Sequence, residues 1–442
     1  MKECCRVAQH ARPLRRKRER YQQRRNTGDR PIQLKNSDIS GAQPAGKSYH
    51  AVLAGFLGWT LDAFDFFVIV FLYDTLAQQF GVTKKAIVLT TTATLAFRPL
   101  GALLFGLLAD RYGRRIPLMA NVIYFSIIEL LCGFSTNYTM FLILRALFGI
   151  GMGGEWGVGA SLAMESAPKR WRGVLSGILQ SGYSNGYLLA ALAARFVLPH
   201  WGWRPMFWLG ALPALLALYI RTKVPESAAW KENRAASTME VLRSVGGQWK
   251  RFAYLVVLMT FMMFLSHGTQ DLYPDFLKEV HSVSGAMVAY IAIIYNVAAV
   301  VGAIAFGFVS QAAGRRKGMI AALAVSLLAI PVWAFGDRLL LLVLGAVVMQ
   351  MGVQGAWGVI PVHLNEMSTD VARGLMPGLA YQLGILLASP TNSIEYGLRE
   401  RAGSYQWALA GFEIVTITAL VILLLAGTEA HGKSFARADA AQ

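Results

Sequence analysis

Residues 101–115 read GALLFGLLADRYGRR and residues 302–316 read GAIAFGFVSQAAGRR. Gly101, Ala102, Phe105, Gly106, Gly113, Arg114 and Arg115 each recur 201 positions later. The same offset carries Gly154-x-Trp156-Gly157-Val158 onto Gly355-x-Trp357-Gly358-Val359. It also carries Glu165 onto Glu366, Arg172 onto Arg373 and Gly173 onto Gly374. Two separate blocks sharing one offset describe a chain built from two similar halves. Two such halves can face each other across a site between them.

The surrounding sequence says what the halves are made of. The 442 residues are 55% hydrophobic and 15% charged, against about 25% charged in a soluble domain. Apolar runs of helix-spanning length recur from about residue 50 to 426, each long enough to cross about 30 Å of hydrocarbon. They predict spans at 50–73, 86–109, 116–135, 138–161, 173–196 and 203–221, then at 252–276, 286–311, 318–335, 338–362, 374–396 and 405–426. The expectation is an all-α membrane protein of twelve transmembrane helices in two pseudo-symmetric six-helix bundles, 49–221 and 251–427. A middle loop, 222–250, joins them.

Lys and Arg fall on alternate loops. One side holds Arg111, Arg114, Arg115, Lys169, Arg170, Arg172, Arg221, Lys223, Arg315, Arg316, Lys317 and Arg373. The positive-inside rule makes that side cytoplasmic. Both termini and the middle loop are then expected on the cytoplasmic side of a cell inner membrane. The net charge of +17 follows from this topology and from a basic segment, 1–48, read as a disordered cytoplasmic tail against anionic lipid. Nucleic acid is not needed to explain it. The segment lacks a signal-peptide core, and 428–442 is read as a second cytoplasmic tail. Cys4, Cys5 and Cys132 show neither metal-ligand nor disulfide spacing.

The loop Gly106-x-x-x-Asp110-Arg111-x-Gly113-Arg114-Arg115 resembles the signature loop of the major facilitator superfamily. Gly307 to Arg316, with Gly314 and Arg315, is its degenerate second copy, carrying Gln311 where the first has Asp110. Arg145-x-x-x-Gly149-x-Gly151 and Val224-Pro225-Glu226-Ser227 also resemble that superfamily. Physically the loop reads as a latch. Gly106 and Gly113 allow close approach and a tight turn. Asp110, Arg111 and Arg114 can pair with Glu165 and Arg172 in one state and part in the other. The plainer alternative is that the arginines only set topology. Glu366 and Arg373 repeat the set in the second half.

Ionisable groups at bilayer depth are costly and default to function. Those considered are Asp62, Asp65, Arg98, Glu129, Arg145, Glu155, His267 and Asp271. His267 and Asp271 stand four apart on one helix face, and such a pair can titrate near neutrality. Their string, Ser266-His267-Gly268-Thr269-Gln270-Asp271, resembles the span-7 signature of monocarboxylate–proton permeases in the sialate:proton symporter branch. Met263 and Asp275 depart from that pattern. The resemblance implies proton coupling at His267 and Asp271, substrate passage at Gln270 and a substrate-binding arginine in span 2. Arg98 is the arginine there, and its planar fork suits a carboxylate. The competing reading of Arg98 is a fixed salt bridge to Asp62 or Asp65.

Asp62 and Asp65 either carry a second proton or pair with Arg98 or Arg145. Glu155 either binds a proton or pairs with an arginine. Arg145 reads as a structural or relay cation, and Glu129 as structural or lipid-facing. Tyr381 and Gln382 lie in a segment resembling a family one and are expected at the cavity, as are Gln180, Tyr183 and Asn185. Span 5 lacks the Gly-Pro pair of drug–proton antiporters. No nucleophile–base set, metal cluster or phosphate-binding loop is seen, so no enzyme, metal or cofactor is expected. The resulting expectation is a monomeric proton symporter importing a small carboxylate of the lactate or pyruvate type. A carrier of sialic acid or another organic acid is the alternative.

Overall fold

The computed structural model describes residues 45–435. Most of the expected basic tail, with Cys4 and Cys5, lies outside the described residues. Helix α1 starts earlier than expected, at Ala45–Val70, and continues after a break as Tyr73–Phe80. Then follow α2 (Lys84–Tyr112), α3 (Arg115–Gly133), α4 (Tyr138–Ser166), α5 (Arg172–Phe196) and α6 (Pro213–Lys223), the last preceded by Arg204–Leu209. The second half holds α7 (Trp249–Gln270), α8 (Gly285–Ala313), α9 (Arg315–Phe335), α10 (Leu339–Met367), α11 (Met376–Leu387) with its continuation Thr391–Ala402, and α12 (Tyr405–Ala426). The middle segment is not plain loop, since it folds Ala228–Glu232 and Thr238–Gly247 as short helices.

The internal repeat is visible in the helix ends. Thr83 accepts a hydrogen bond from the Ala86 N–H at the start of α2, and Ser284 accepts one from Met287 at the start of α8. These caps are 201 positions apart and satisfy donors the first turn would otherwise leave bare. At the other ends Gly113 and Gly314 turn the chain with φ of 108° and 100°, a region closed to most side chains.

Ten of the crossing helices are long and apolar enough to span a membrane on composition alone. The two that fall short, α5 and α11 with its continuation, are repeat mates. Their physical difference is what they face. Helix α5 packs on α8 and α10 of the other half, and α11 packs on α2 and α4. Polar and small residues such as Gln180, Ser184 and Gln382 therefore point at protein rather than lipid. The outer surface is the reverse, with Ile127, Leu215, Leu328, Val415 and Leu425 all bare. So broad an apolar coat fits a hydrocarbon surround and not water.

Candidate functional site

The two halves are locked together on the side of the arginine-rich loops. Asp110 accepts hydrogen bonds from the N–H groups of Gly374 at 2.7 Å and Leu375 at 3.0 Å, ahead of α11. Its own half holds it through Arg114 at 2.6 Å. Arg114 also grips Glu165 with two bonds, of 2.9 and 3.3 Å, and Arg373 approaches Glu165 from the other half at 3.6 Å. Burial opposes the Arg114 charge, but Glu165 and Asp110 outweigh it and raise its pKa above the ordinary arginine value.

The second copy repeats this arrangement. Gln311 accepts from the Gly173 N–H at 2.8 Å, Arg315 grips Glu366 at 2.9 Å, and Arg172 reaches Glu366 from the first half at 3.6 Å. Arg172 thus belongs to the second copy, not to the Asp110–Arg114 loop as expected. Arg111 bonds the Ala235 carbonyl at 2.9 Å instead of a carboxylate. The side chain of Arg115 and the N–H groups of Arg114 and Arg115 tie to the end of α6 and to Glu226. Arg316 bonds the end of α12. At Gly106 and Gly307, backbone of the other half stands 2.7 Å from where a Cβ would be, so only glycine fits.

A third element joins the lock. The segment after α12, expected as a cytoplasmic tail, runs between the halves as far as it is described. Phe435 is buried, with the Arg172 guanidinium 4.0 Å and the Arg373 guanidinium 4.3 Å from its ring centre. Arg172 donates to the Lys433 carbonyl at 2.9 Å, and Lys433 pairs with Asp370 at 3.0 Å. Burial raises the Asp370 carboxyl, but Lys433 and Arg373 together hold it below the usual range.

On the far side of this lock lies a cavity of about 390 Å³ between the halves. Helices α1, α2 and α5 contribute Phe67, Thr91, Arg98, Gln180 and Tyr183. Helices α7, α10 and α11 contribute His267, Gln270, Asp271, Gln354, Trp357 and Tyr381. Its floor is aromatic. Trp156 stacks on Tyr381 at 4.2 Å, Trp357 meets the same ring at 5.7 Å, and Trp59 stacks on Tyr183 at 5.4 Å. The repeat mates Trp156 and Trp357 therefore converge on one tyrosine. The sequence points to Tyr183 and Tyr381 here but not to Thr91, Gln354 or the tryptophans as site residues, although the repeated Gly-x-Trp-Gly string marks Trp156 and Trp357.

The cavity brings Arg98 together with His267, Gln270 and Asp271. Arg98 is 3% exposed, and its Nε and Nη2 have no hydrogen-bond partner. No carboxylate among the described residues lies within ion-pair distance, so the expected alternative of a bridge to Asp62 or Asp65 is not formed. Opposite, His267 Nδ1 stands 3.1 Å from Asp271 Oδ2, and both side chains are partly exposed, by 41% and 33%. Gln270 donates to Gln350 at 2.9 Å, which donates to Thr269 at 3.2 Å. That chain fixes the face of α7 turned to the cavity.

Other candidates sit behind the wall. Gln382 does not line the cavity and points instead to the Gly153 carbonyl at 3.4 Å. Asp62, Asp65 and Glu155 are fully buried, and none of their carboxylate oxygens has a partner. Arg145 passes them by and pairs with Glu129 at 2.9 Å, inside the bundle. Glu129 is therefore not lipid-facing. Asp65 and Glu129 both press on Gly210, each 2.5 Å from where its Cβ would stand. Two further buried carboxyls, Glu395 and Glu413, were passed over in the sequence. Glu413 interrupts the apolar run of α12, a signal that was there to be read.

Over residues 47–263 and 253–429 the chain matches the family described as "Sugar (and other) transporter". It is 30% identical to the carboxylic acid transporter protein homolog of Saccharomyces cerevisiae, over 80% of this chain and 62% of that protein's length. It is 28% identical to the sialic acid transporter NanX of Escherichia coli, over 87% of this chain and 95% of that one. Among solved structures, the major facilitator superfamily proton:xylose symporter XylE superposes with a TM-score of 0.70 at 19% identity, covering 90% of this chain and 100% of that one. This last likeness speaks to the fold.

Proposed function

The chain belongs to the sugar (and other) transporter family, within the major facilitator fold, and from that premise we propose that it is a proton symporter importing a small carboxylate. A monocarboxylate of the lactate or pyruvate type is the first candidate. One observation carries the reading: the unpaired guanidinium of Arg98 faces the His267–Asp271 pair across one cavity. A fixed cation on one half and a titratable pair on the other are the parts that anion–proton coupling needs. The names of the yeast and E. coli relatives support a carboxylated substrate.

In this reading the arginine-rich side is cytoplasmic, by the positive-inside rule, and both termini lie there in a cell inner membrane. The lock then closes the inner gate while the cavity serves the outside. His267 and Asp271 take a proton, the carboxylate settles on Arg98 with Gln270 and Tyr381 beside it, and the cavity becomes neutral overall. Asp62, Asp65 and Glu155, buried next to the Arg98 helix, are reserve proton carriers. The halves rock as one monomer, the Asp110–Arg114–Glu165 and Gln311–Arg315–Glu366 sets part, and both cargoes leave inward.

Labelled L-lactate uptake into proteoliposomes tests this. Uptake is expected to rise with acid outside and to collapse with the proton gradient. His267→Ala and Arg98→Ala are each expected to abolish it. Uptake indifferent to the gradient would remove the coupling. The second reading, a sialic acid or other organic-acid carrier, is favoured by the NanX likeness over nearly that protein's whole length. A competition panel of carboxylates separates the two.

A further inference from the structure

Helix α12 carries a single charged residue, Glu413, at its centre. It is fully buried and neither carboxylate oxygen has a partner. It presses on α7 at Gly268, where a Cβ would stand 2.2 Å from Glu413 Oε1. Gly268 is the residue after His267. The carboxyl of Glu413 therefore lies against the backbone that carries the cavity histidine, and fits there because position 268 has no side chain.

Glu395, on Thr391–Ala402, is 1% exposed with both oxygens unpartnered. Its helix packs on α7 and α12. Asn392, one turn before Glu395 on the same helix, lines the cavity beside Asp271, so Glu395 lies just behind the cavity wall. Glu413, against Gly268, lies behind the same stretch of α7.

Among the described residues no cation lies within ion-pair distance of either glutamate. Helix α7 offers only His267 and Asp271 at this depth. Helix α9 has no charge beyond Arg315, Arg316 and Lys317 at its other end. Arg399, Glu400 and Arg401 lie at the outer end of the Glu395 helix, with Arg399 bound to Glu279. An uncompensated carboxylate in such a place is costly, and an apolar residue would pack more cheaply. The fold does not require the pair either. The positions 201 residues earlier are Ala194 and Leu212, and the mate of Gly268 is Phe67.

We propose that Glu395 and Glu413 are an internal proton site behind His267–Asp271, loaded from the cavity through Asp271. The O–H bond broken on Asp271 re-forms on Glu395, and that broken on Glu395 re-forms on Glu413. The Asp271 carboxylate left behind is free to take another proton from the cavity. Proton storage is thereby separated from the substrate: the stored proton crosses with the second half and leaves by the reverse steps, the O–H bond broken on Glu413 re-forming on Glu395 and then on Asp271, which gives the proton up to the cavity once it opens inward. This rests on the proton-coupled reading above.

The test uses the full chain in proteoliposomes with L-lactate, comparing wild type, Glu413→Gln and Glu395→Gln. Protons entering per lactate are read in lightly buffered medium, and binding by tryptophan fluorescence. Each variant is expected to bind lactate and to move fewer protons per lactate. Under a gradient of one pH unit, each lost proton lowers accumulation about tenfold. Infrared spectra at neutral pH are expected to show a protonated carboxyl C=O band in wild type that Glu413→Gln removes. An unchanged proton ratio, or an unchanged band, overturns the proposal. If Glu413→Gln does not assemble, Glu395→Gln, which is clear of the contact at Gly268, decides by the same readings. Wild type that takes up no proton with any carboxylate refutes the coupled reading instead, and the infrared band still reports on the buried site by itself.

Discussion

The carboxylate of Asp110 accepts the backbone N–H of Gly374 at 2.7 Å, across 264 positions of sequence and across the interface of the two halves. Its repeat mate Gln311 does the same for Gly173 at 2.8 Å. One bond is charge-assisted and the other neutral, so the first is the stronger of the two.

Asp110→Asn keeps the shape and removes the charge. Arg114 loses one of its two carboxylates, and a broken buried pair costs about 3–5 kcal/mol. The locked state is expected to lose population, with transport slowed. Spin-label distances between the arginine-side ends of α2 and α11 should lengthen. Gln311→Ala should have the smaller effect.

Gly113→Ala and Gly314→Ala both force a side chain onto backbone with positive φ and extended ψ, a conformation nearly reserved to glycine, at about 1–3 kcal/mol. At Gly113 the new Cβ would also stand 2.3 Å from Glu226, against 3.0 Å from Glu429 at Gly314. The melting temperature is therefore expected to fall in both, and further in Gly113→Ala. Equal falls would mean that the Glu226 contact adds nothing.

Arg98→Lys keeps a cation but loses the planar fork. Charge-assisted bonds contribute about 1.5–3 kcal/mol each. A rise of KM for the carboxylate by about tenfold is expected, with loss of measurable uptake in Arg98→Ala. A lysine variant with unchanged KM would speak against a bidentate carboxylate at this site.

Phe435→Ala removes a ring held between Arg172 and Arg373. Each cation–π contact contributes about 0.5–2 kcal/mol. The expected result is a shift toward the state open on the arginine side, read as faster labelling of a cysteine placed at Ser176. Phe435→Trp should restore the wild-type rate.

Much of the fold was written along the chain. Run length marked the spans, and the 201-residue offset marked the two halves and their paired glycine turns. Both are one-dimensional properties, since a membrane fixes helix length and a duplicated half repeats its spacing. The break between Leu387 and Thr391, the short helices of the middle segment and the packing of Lys433 and Phe435 between the halves were not legible. They depend on what packs against them.

At the site, the sequence by itself determined that Arg98, His267 and Asp271 are ionisable residues set in or at the end of apolar runs, and that His267 and Asp271 are spaced to share a helix face. Only the tertiary structure decided their partners. Arg145 takes Glu129 and leaves Asp62 and Asp65 alone, Arg172 crosses to the other half's glutamate, and Glu413 finds room at Gly268. Helical spacing fixes neighbours within a helix. Which buried carboxyl meets which cation is set by how separate helices pack, and no local pattern in the chain encodes that.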